Sequence, residues 1–286
     1  MTRALIAIVA GSACAGLAAA EPYVFMYTSS GTLLRGQLGT DDYEVVGQSF
    51  SHPDWFTPNS ILSLETASNG RLYANFTYDI LPDGTYVSGL VAEISRSTGH
   101  TDYLYSLSDD SAFAGPTTGL AFGGGMAYDG RDGSFWMLNW HFAGTGPIYL
   151  HQFDVATGEI LYKVETELAN DMSGAMVFRD DGMLTNISYS QRLLTVIDPT
   201  TGATITETAL NGPSNITGLT QYDGVTYLAT QYGDMYSFDL DTFDYQLVSS
   251  FGIEYGTTWG LTVNPTPGTI VPVLAGLGIG ARRRRR

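Results

Sequence analysis

Between Tyr23 and Val263, apolar and polar residues alternate with a period of two in short runs, interrupted by glycine, aspartate and asparagine. Three stretches share one design: LHQFDVATGEILYKV (Leu150–Val164), LTVIDPTTGATITET (Leu194–Thr208) and MYSFDLDTFDYQLVS (Met235–Ser249). Each is an alternating run, an aspartate, a Thr-Gly-like turn and a second alternating run, which is the pattern of an antiparallel hairpin. The aspartate side chain caps the turn backbone, and glycine accepts the positive φ that follows. LVAEISRSTGHTDYLYS (Leu90–Ser106) is a fainter copy, and LLRGQLGTDDYEVVGQS (Leu33–Ser49) is a fifth.

A second element precedes these hairpins: small residues, a short strand, an Asp/Asn-Gly turn and another strand. Examples are SILSLETASNGRLYANF (Ser60–Phe76), GGMAYDGRDGSFWMLNW (Gly124–Trp140), SGAMVFRDDGMLTNIS (Ser173–Ser188) and TGLTQYDGVTYLATQ (Thr217–Gln231). Together the two elements make a four-stranded antiparallel unit. The turn glycines Gly99, Gly158 and Gly202 stand 59 and 44 residues apart, and Phe243 holds the same place 41 residues further on. Repeats of this length with four strands each predict an all-β β-propeller. Four complete units span 58–110, 117–168, 173–211 and 215–251. Residues 23–49 supply only three strands, and TTWGLTV (257–263) resembles a lone first strand. Joined, they predict a fifth blade closed by strands from both termini, which removes the exposed edges of an open array. Five blades are favoured. Six remain compatible with the long Gly99–Gly158 interval, and a β-sandwich or open solenoid is the structural alternative.

Composition agrees with many short strands joined by glycine turns: 34 Gly, 18 Tyr and 44% hydrophobic residues in 286. Charge is unevenly placed. Six of the 13 basic residues are Arg3 and Arg282–Arg286, so residues 21–264 keep seven against all 29 acidic ones, a net of −22. So acidic a body repels phosphate backbones, which argues against nucleic-acid binding. Cys14 is the single cysteine, so the body forms no internal disulfide.

The two ends differ from the body. MTRALIAIVAGSACAGLAAA has a cationic start, a short apolar run and Ala18-Ala19-Ala20 before Glu21, which predicts a signal peptide over 1–20. Over 265–286, Pro265-Thr266-Pro267-Gly268 precedes a 13-residue uncharged run (Thr269–Ala281) and Arg282, Arg283, Arg284, Arg285 and Arg286. Thirteen residues fall short of the ~20 of a comfortable span, and the arginines act as a positive stop. This order resembles the PEP-CTERM sorting signal in a Pro-Thr-Pro-Gly variant, with Thr266 where the commonest form has Glu. The resemblance implies recognition by a membrane protease-transpeptidase of the exosortase type, a transient inner-membrane contact, and delivery to the cell surface or beyond. A plain C-terminal anchor is the competing reading. The D-x-x-T-G hairpins of the body resemble those of PQQ-type and YVTN-type extracellular propellers, a likeness of geometry more than of chemistry.

Candidate chemistry in 21–264 is sparse. His52, His100, His141 and His151 show no metal-ligand spacing on one element, although His141 and His151 flank one hairpin. There is no G-x-S-x-G elbow, and Gly123-Gly124-Gly125 precedes a strand, which favours close backbone packing near an axis over phosphate binding. No cofactor is expected. Calcium is a weak alternative at Asp129/Asp132, Asp180/Asp181 or Asp239/Asp241, where turn formation is the simpler role. Trp55, Trp136, Trp140 and Trp259 suit inter-blade packing better than sugar stacking. Asn59, Ser60, Ser173, Thr217 and Trp259 begin the predicted first strands and are the candidate ligand residues at a channel mouth.

The function these observations favour is an exported cell-surface or matrix protein whose propeller binds or scaffolds without catalysis, with exopolysaccharide or another surface protein as partner. The rival is an extracellular propeller lyase or hydrolase acting on a polymer, and a third reading is a cofactor-dependent dehydrogenase.

Overall fold

The computed structural model describes residues 22–48, 51–52, 61–80, 86–107, 121–141, 146–169, 173–189, 191–254 and 256–264, and gives the backbone alone for 51–52, 77–80, 86–88, 121–123, 140–141 and 173. The segments 1–20 and 265–286 therefore lie outside the described residues, as do Trp55, Asn59 and Ser60.

The period-two pattern resolves into strands and, among the described residues, no helix. In chain order the first strands are β1 (Tyr23–Thr28), β2 (Thr32–Gln37), β3 (Tyr43–Gln48) and β4 (Ser51–His52). Blade 1 is β5 (Ile61–Thr66), β6 (Leu72–Ile80), β7 (Tyr86–Ile94) and β8 (Thr101–Ser106). Blade 2 is β9 (Ala121–Tyr128), β10 (Phe135–His141), β11 (Tyr149–Phe153) and β12 (Ile160–Glu165). Blade 3 is β13 (Ser173–Phe178), β14 (Leu184–Ser188), β15 (Leu193–Ile197) and β16 (Thr204–Ala209). Blade 4 is β17 (Ile216–Tyr222), β18 (Val225–Thr230), β19 (Asp234–Phe238) and β20 (Tyr245–Ser250). The last strand, β21 (Thr258–Asn264), pairs with β1 and starts the sheet β21-β1-β2-β3. The protein is a five-bladed β-propeller, and its fifth blade joins the two ends of the chain, with Tyr23 opposite Asn264 and Val24 opposite Val263.

The first strand of each blade is the innermost, and these five strands touch one another in a closed ring: β5, β9, β13, β17, β21 and back to β5. Five hydrophobic clusters hold the blades together, one in each seam. Phe25, Tyr27 and Leu33 of blade 5 meet Leu72 and Phe76 of blade 1. Tyr73 and Val91 meet Phe135 and Phe153 between blades 1 and 2. Trp136 and Leu150 meet Met176 and Phe178 between blades 2 and 3. Ile187 and Leu194 meet Leu219 and Leu228 between blades 3 and 4, and Val24 and Met26 meet Ala229 and Met235 between blades 4 and 5. Phe135 is fully buried, its ring 5.2 Å from Tyr73 and 6.0 Å from Phe153. A side chain of that size contributes about 1.5–3 kcal/mol by leaving water.

The D-x-x-T-G turn does two jobs. Asp198 Oδ1 accepts hydrogen bonds from Thr200 N at 2.8 Å and Thr200 Oγ1 at 2.7 Å, while Gly202 N donates to Asp198 O at 2.8 Å. Gly202 has φ +74°, and a Cβ there would run into the carbonyl of Glu165 in the preceding blade. Glycine is thus required by conformation and by contact. In the fourth repeat Phe243 takes the same left-handed place at φ 62°. Its ring packs against the seam between blades 3 and 4, 6.4 Å from Phe238, and this burial offsets the strain.

One strand was not legible from the repeats. β4 pairs in parallel with β8 (Ser51 opposite Thr101) and adds a fifth strand to the outer edge of blade 1. The chain leaving blade 5 therefore covers an edge that, among the described residues, the other outer strands leave unpaired.

Candidate functional site

Every innermost strand carries one residue too many for its partner. The extra residue is Leu62 in β5, one of Gly124–Gly125 in β9, Gly174 in β13, Thr217 in β17 and Gly260 in β21. In four blades these β-bulges fall on the small residues that open the repeats, and they let the backbones converge on one axis. Gly260 sits at φ +76°, and a Cβ would lie 2.7 Å from Leu64 N of blade 1. Asn75 Nδ2 donates to the Gly124 carbonyl at 2.5 Å, so the triple glycine admits a neighbouring side chain to the β9 backbone.

The axis is closed along its middle by residues of all five inner strands, including Leu64, Met126, Met176, Leu219 and Leu261, which leave no volume open to water. Ser63 Oγ and Thr217 Oγ1 are buried there without a hydrogen-bond partner. Thr217, a sequence candidate for the channel mouth, is fully buried in this plug.

At the end where the inner strands begin, Trp259 is half-buried and stacks on Tyr189 of blade 3, with ring centroids 5.4 Å apart and planes 24° apart. Trp259 Nε1 donates to Thr257 Oγ1 at 3.0 Å, and Tyr189 OH donates to Gln231 Oε1 of blade 4 at 2.5 Å. One of the candidate residues therefore joins three blades at this mouth. Ser173 pairs with Ser188 through its backbone, and Asn59 and Ser60 fall outside the described residues.

At the opposite end, where the inner strands run out, a cleft of about 320 Å³ is lined by residues of all five blades. It shares Arg179, Asp180 and Gln221 with a groove of about 820 Å³ running outward between blades 3 and 4. The sequence named Asp129 and Asp180 of this mouth only as turn aspartates with calcium as a weak alternative, and did not bring them together. Its charged groups fall into two kinds. Arg131 is held by Asp129, with Nε to Oδ1 at 2.8 Å and Nη2 to Oδ2 at 2.6 Å, and lies over the Phe178 ring at 5.2 Å. Burial alone would raise the Asp129 carboxyl, but the hydrogen bonds and charge of Arg131 bring it below its ordinary value. Arg179 reaches Asp181 at 3.4 Å and, across the seam, Asp241 at 3.6 Å.

Glu65 has no such partner. It is 8% exposed and borders both the closed axis and the open cleft, and among the described residues its carboxyl accepts no hydrogen bond. Burial pushes that carboxyl well above the usual carboxylate range. The signal was present in the repeats: the third residue after the bulge is Val177, Thr220 and Val263 in three blades and Glu65 in blade 1.

The other sequence candidates resolve as follows. Trp136 is inter-blade core, near Phe178 and Tyr162, with Nε1 donating to Ser134 Oγ at 3.1 Å. Asp132 accepts from Ser134 N and Gln152 Nε2, Asp181 from Met183 N, and Asp239 from Asp241 N and Thr242 N. Protein donors thus reach a carboxylate in each of the three turn pairs considered for calcium. Among the described residues no three His, Cys, Asp or Glu side chains are grouped to hold a metal ion. His151 is buried and His100 lies 3.2 Å from Asp102 on blade 1.

No family model and no curated protein sequence matches the chain. Solved structures match its fold. A protein of unknown function from Bacteroides caccae superposes with a TM-score of 0.50 at 14% identity, over 82% of this chain and 75% of that one. A chain of the nidogen/laminin complex gives 0.50 at 12% identity, over 85% of this chain and 98% of that one. Glutaminyl cyclase from Myxococcus xanthus gives 0.44 at 14% identity, over 71% and 69%. Identities this low show a shared propeller fold alone, and the last score carries no argument.

Proposed function

We propose that this protein is an exported cell-surface or matrix component whose propeller binds or scaffolds without turnover, and that an exosortase-type enzyme handles its C-terminal tail. The observation that carries the reading is the junction of blade 5. Tyr23 and Asn264 pair side by side, so the leader precedes and the tail follows a single strand pair. Pro22 O accepts Leu38 N at 3.2 Å, and Asn264 Nδ2 donates to Gly70 O at 3.2 Å, which ties down both exits. Both tags can then be cut without removing a strand. Mass spectrometry of the extracellular protein tests this. The expected product starts near Glu21 and lacks Arg282–Arg286, and an extracellular product that keeps all five arginines overturns it.

A second reading, an extracellular lyase or hydrolase acting on a polysaccharide, is favoured by Glu65 alone. A buried, unpartnered carboxyl that burial makes hold its proton more tightly is the kind of group that serves as a general acid. Screening the full-length protein against polymer substrates separates the two: turnover abolished by Glu65→Gln supports the enzyme and removes the non-catalytic reading.

A further inference from the structure

We propose that the mouth where the inner strands run out is a seat for a protonated primary amine, with Glu65 as its carboxylate acceptor and Asp180 as a second acceptor at the lip. The inference adds a ligand class and a site to the binding role proposed above, on which it rests. The argument starts from what Glu65 lacks. A carboxylate is an acceptor-only group with about four lone-pair directions, and burying one unpaired is costly. Nothing in the described structure donates to it. The two cations lining the same cleft are committed elsewhere: Arg131 is forked onto Asp129 and stacked on Phe178, and Arg179 is drawn outward to Asp181 and Asp241. Pairing these groups leaves two acidic side chains without a cation, Glu65 deep in the cleft and Asp180 where the cleft joins the groove, and an ammonium seated beside Glu65 would favour its ionised, accepting form.

The remaining walls fit a hydrogen-bonding ligand better than an apolar one. Thr66, Thr220, Thr262 and Gln221 come from three different inner strands, and Thr66 Oγ1 lies 2.9 Å from Thr262 Oγ1. An ammonium is a compact charge with three donors and needs several oxygens around it. The groove between blades 3 and 4 continues outward from Asp180, so the amine belongs at the end of an extended chain. Two sources share this chemistry: a free polyamine and an oligosaccharide of deacetylated amino sugars.

Calorimetric titration of the full-length protein with spermidine, with a glucosamine trimer and with its N-acetylated counterpart tests the seat. At least one of the two amines is expected to bind saturably, and the N-acetylated trimer, which has lost its charge, to bind at least roughly tenfold more weakly than the free trimer. Glu65→Gln is expected to weaken amine binding by roughly 10- to 100-fold, the range of a charge-assisted hydrogen bond. Glu207→Gln removes the same charge from the outer strand β16 and is expected to leave binding unchanged. Spermidine binding alone would identify the free polyamine as the source, and trimer binding alone the amino sugar. Absence of binding by either amine, or binding that Glu65→Gln leaves intact, overturns the proposal. Misfolding cannot mimic the expected result, because Glu65→Gln is also expected to raise the melting temperature. Processing of the tail is read by mass spectrometry, so failure of the seat and failure of the sorting reading are separate results.

Discussion

The first and fourth strands of each blade carry the same irregularity, and in three blades the outer one is put to the opposite use. Each inner strand has one extra residue, and so does each outer strand: Val46 in β3, Leu104 in β8, Leu161 in β12, Ile205 in β16 and Val248 in β20. Inside, the extra residue is glycine in three blades and is buried at every bulge. Outside it is a branched apolar residue: Leu104, Leu161 and Ile205 stand 38%, 52% and 55% exposed, while Val46 and Val248 are half-buried against the seams on either side of blade 5. At the axis a bulge brings backbones together. At the rim it adds twist to an edge that, except at β8 where β4 covers it, is unpaired among the described residues, and makes that edge a poor template for another chain. The lesson is that a bulge reads as packing or as protection only when its burial is known.

Three substitutions test that contrast. Gly260→Val has the largest expected effect. It forces a branched residue to φ +76° with its Cβ against the Leu64 backbone, and should cost about 3 kcal/mol or more or abolish folding, read by thermal denaturation. Glu65→Gln comes next and has the opposite sign. The folded state holds the Glu65 proton more tightly than the unfolded chain does. That contribution to stability is whole below the ordinary value of 4.5 and is lost as pH rises through the raised folded value. The groups facing the same mouth are Asp129, Arg131, Arg179 and Asp180, and the two arginines are already paired. Glu65→Gln should therefore stabilise by on the order of 1 kcal/mol at neutral pH, with the gain vanishing in melts below the ordinary value, whereas Glu207→Gln on an outer strand shifts nothing. Leu161→Ser has the smallest effect, within about 0.5 kcal/mol, because the side chain is already in water. A large loss there would break the contrast between rim and axis.

The blade count and the composite fifth blade were legible in the sequence because turn chemistry is local. Asp198 and Gly202 must be Asp-like and Gly-like for reasons within a few residues, so the repeat prints itself. The ring of innermost strands was legible for the same reason, through the small residues at their bulges. The site was less so. A bulge shifts side-chain parity by one, and alternation alone then cannot say which face of β5 Glu65 occupies. The candidates chosen at the strand starts reflect that limit: Thr217 fell into the plug and Trp259 onto Tyr189. Arg131 and Arg179 lie in turns that looked generic, Asp180 stood out only as a turn aspartate, and only the ring closure brings them to one mouth with Glu65. β4 was invisible because two residues carry no period.

The central claim is that β21, from the far end of the described chain, completes blade 5 and the inner ring. Two truncations, one ending at Asn264 and one at Gly256, compared with the full-length protein by thermal denaturation, test it most directly. The account predicts that the chain ending at Asn264 melts like the full-length protein and that the chain ending at Gly256, without the strand that closes blade 5 and the inner ring, loses its cooperative transition. Equal melting of the two truncations would contradict it.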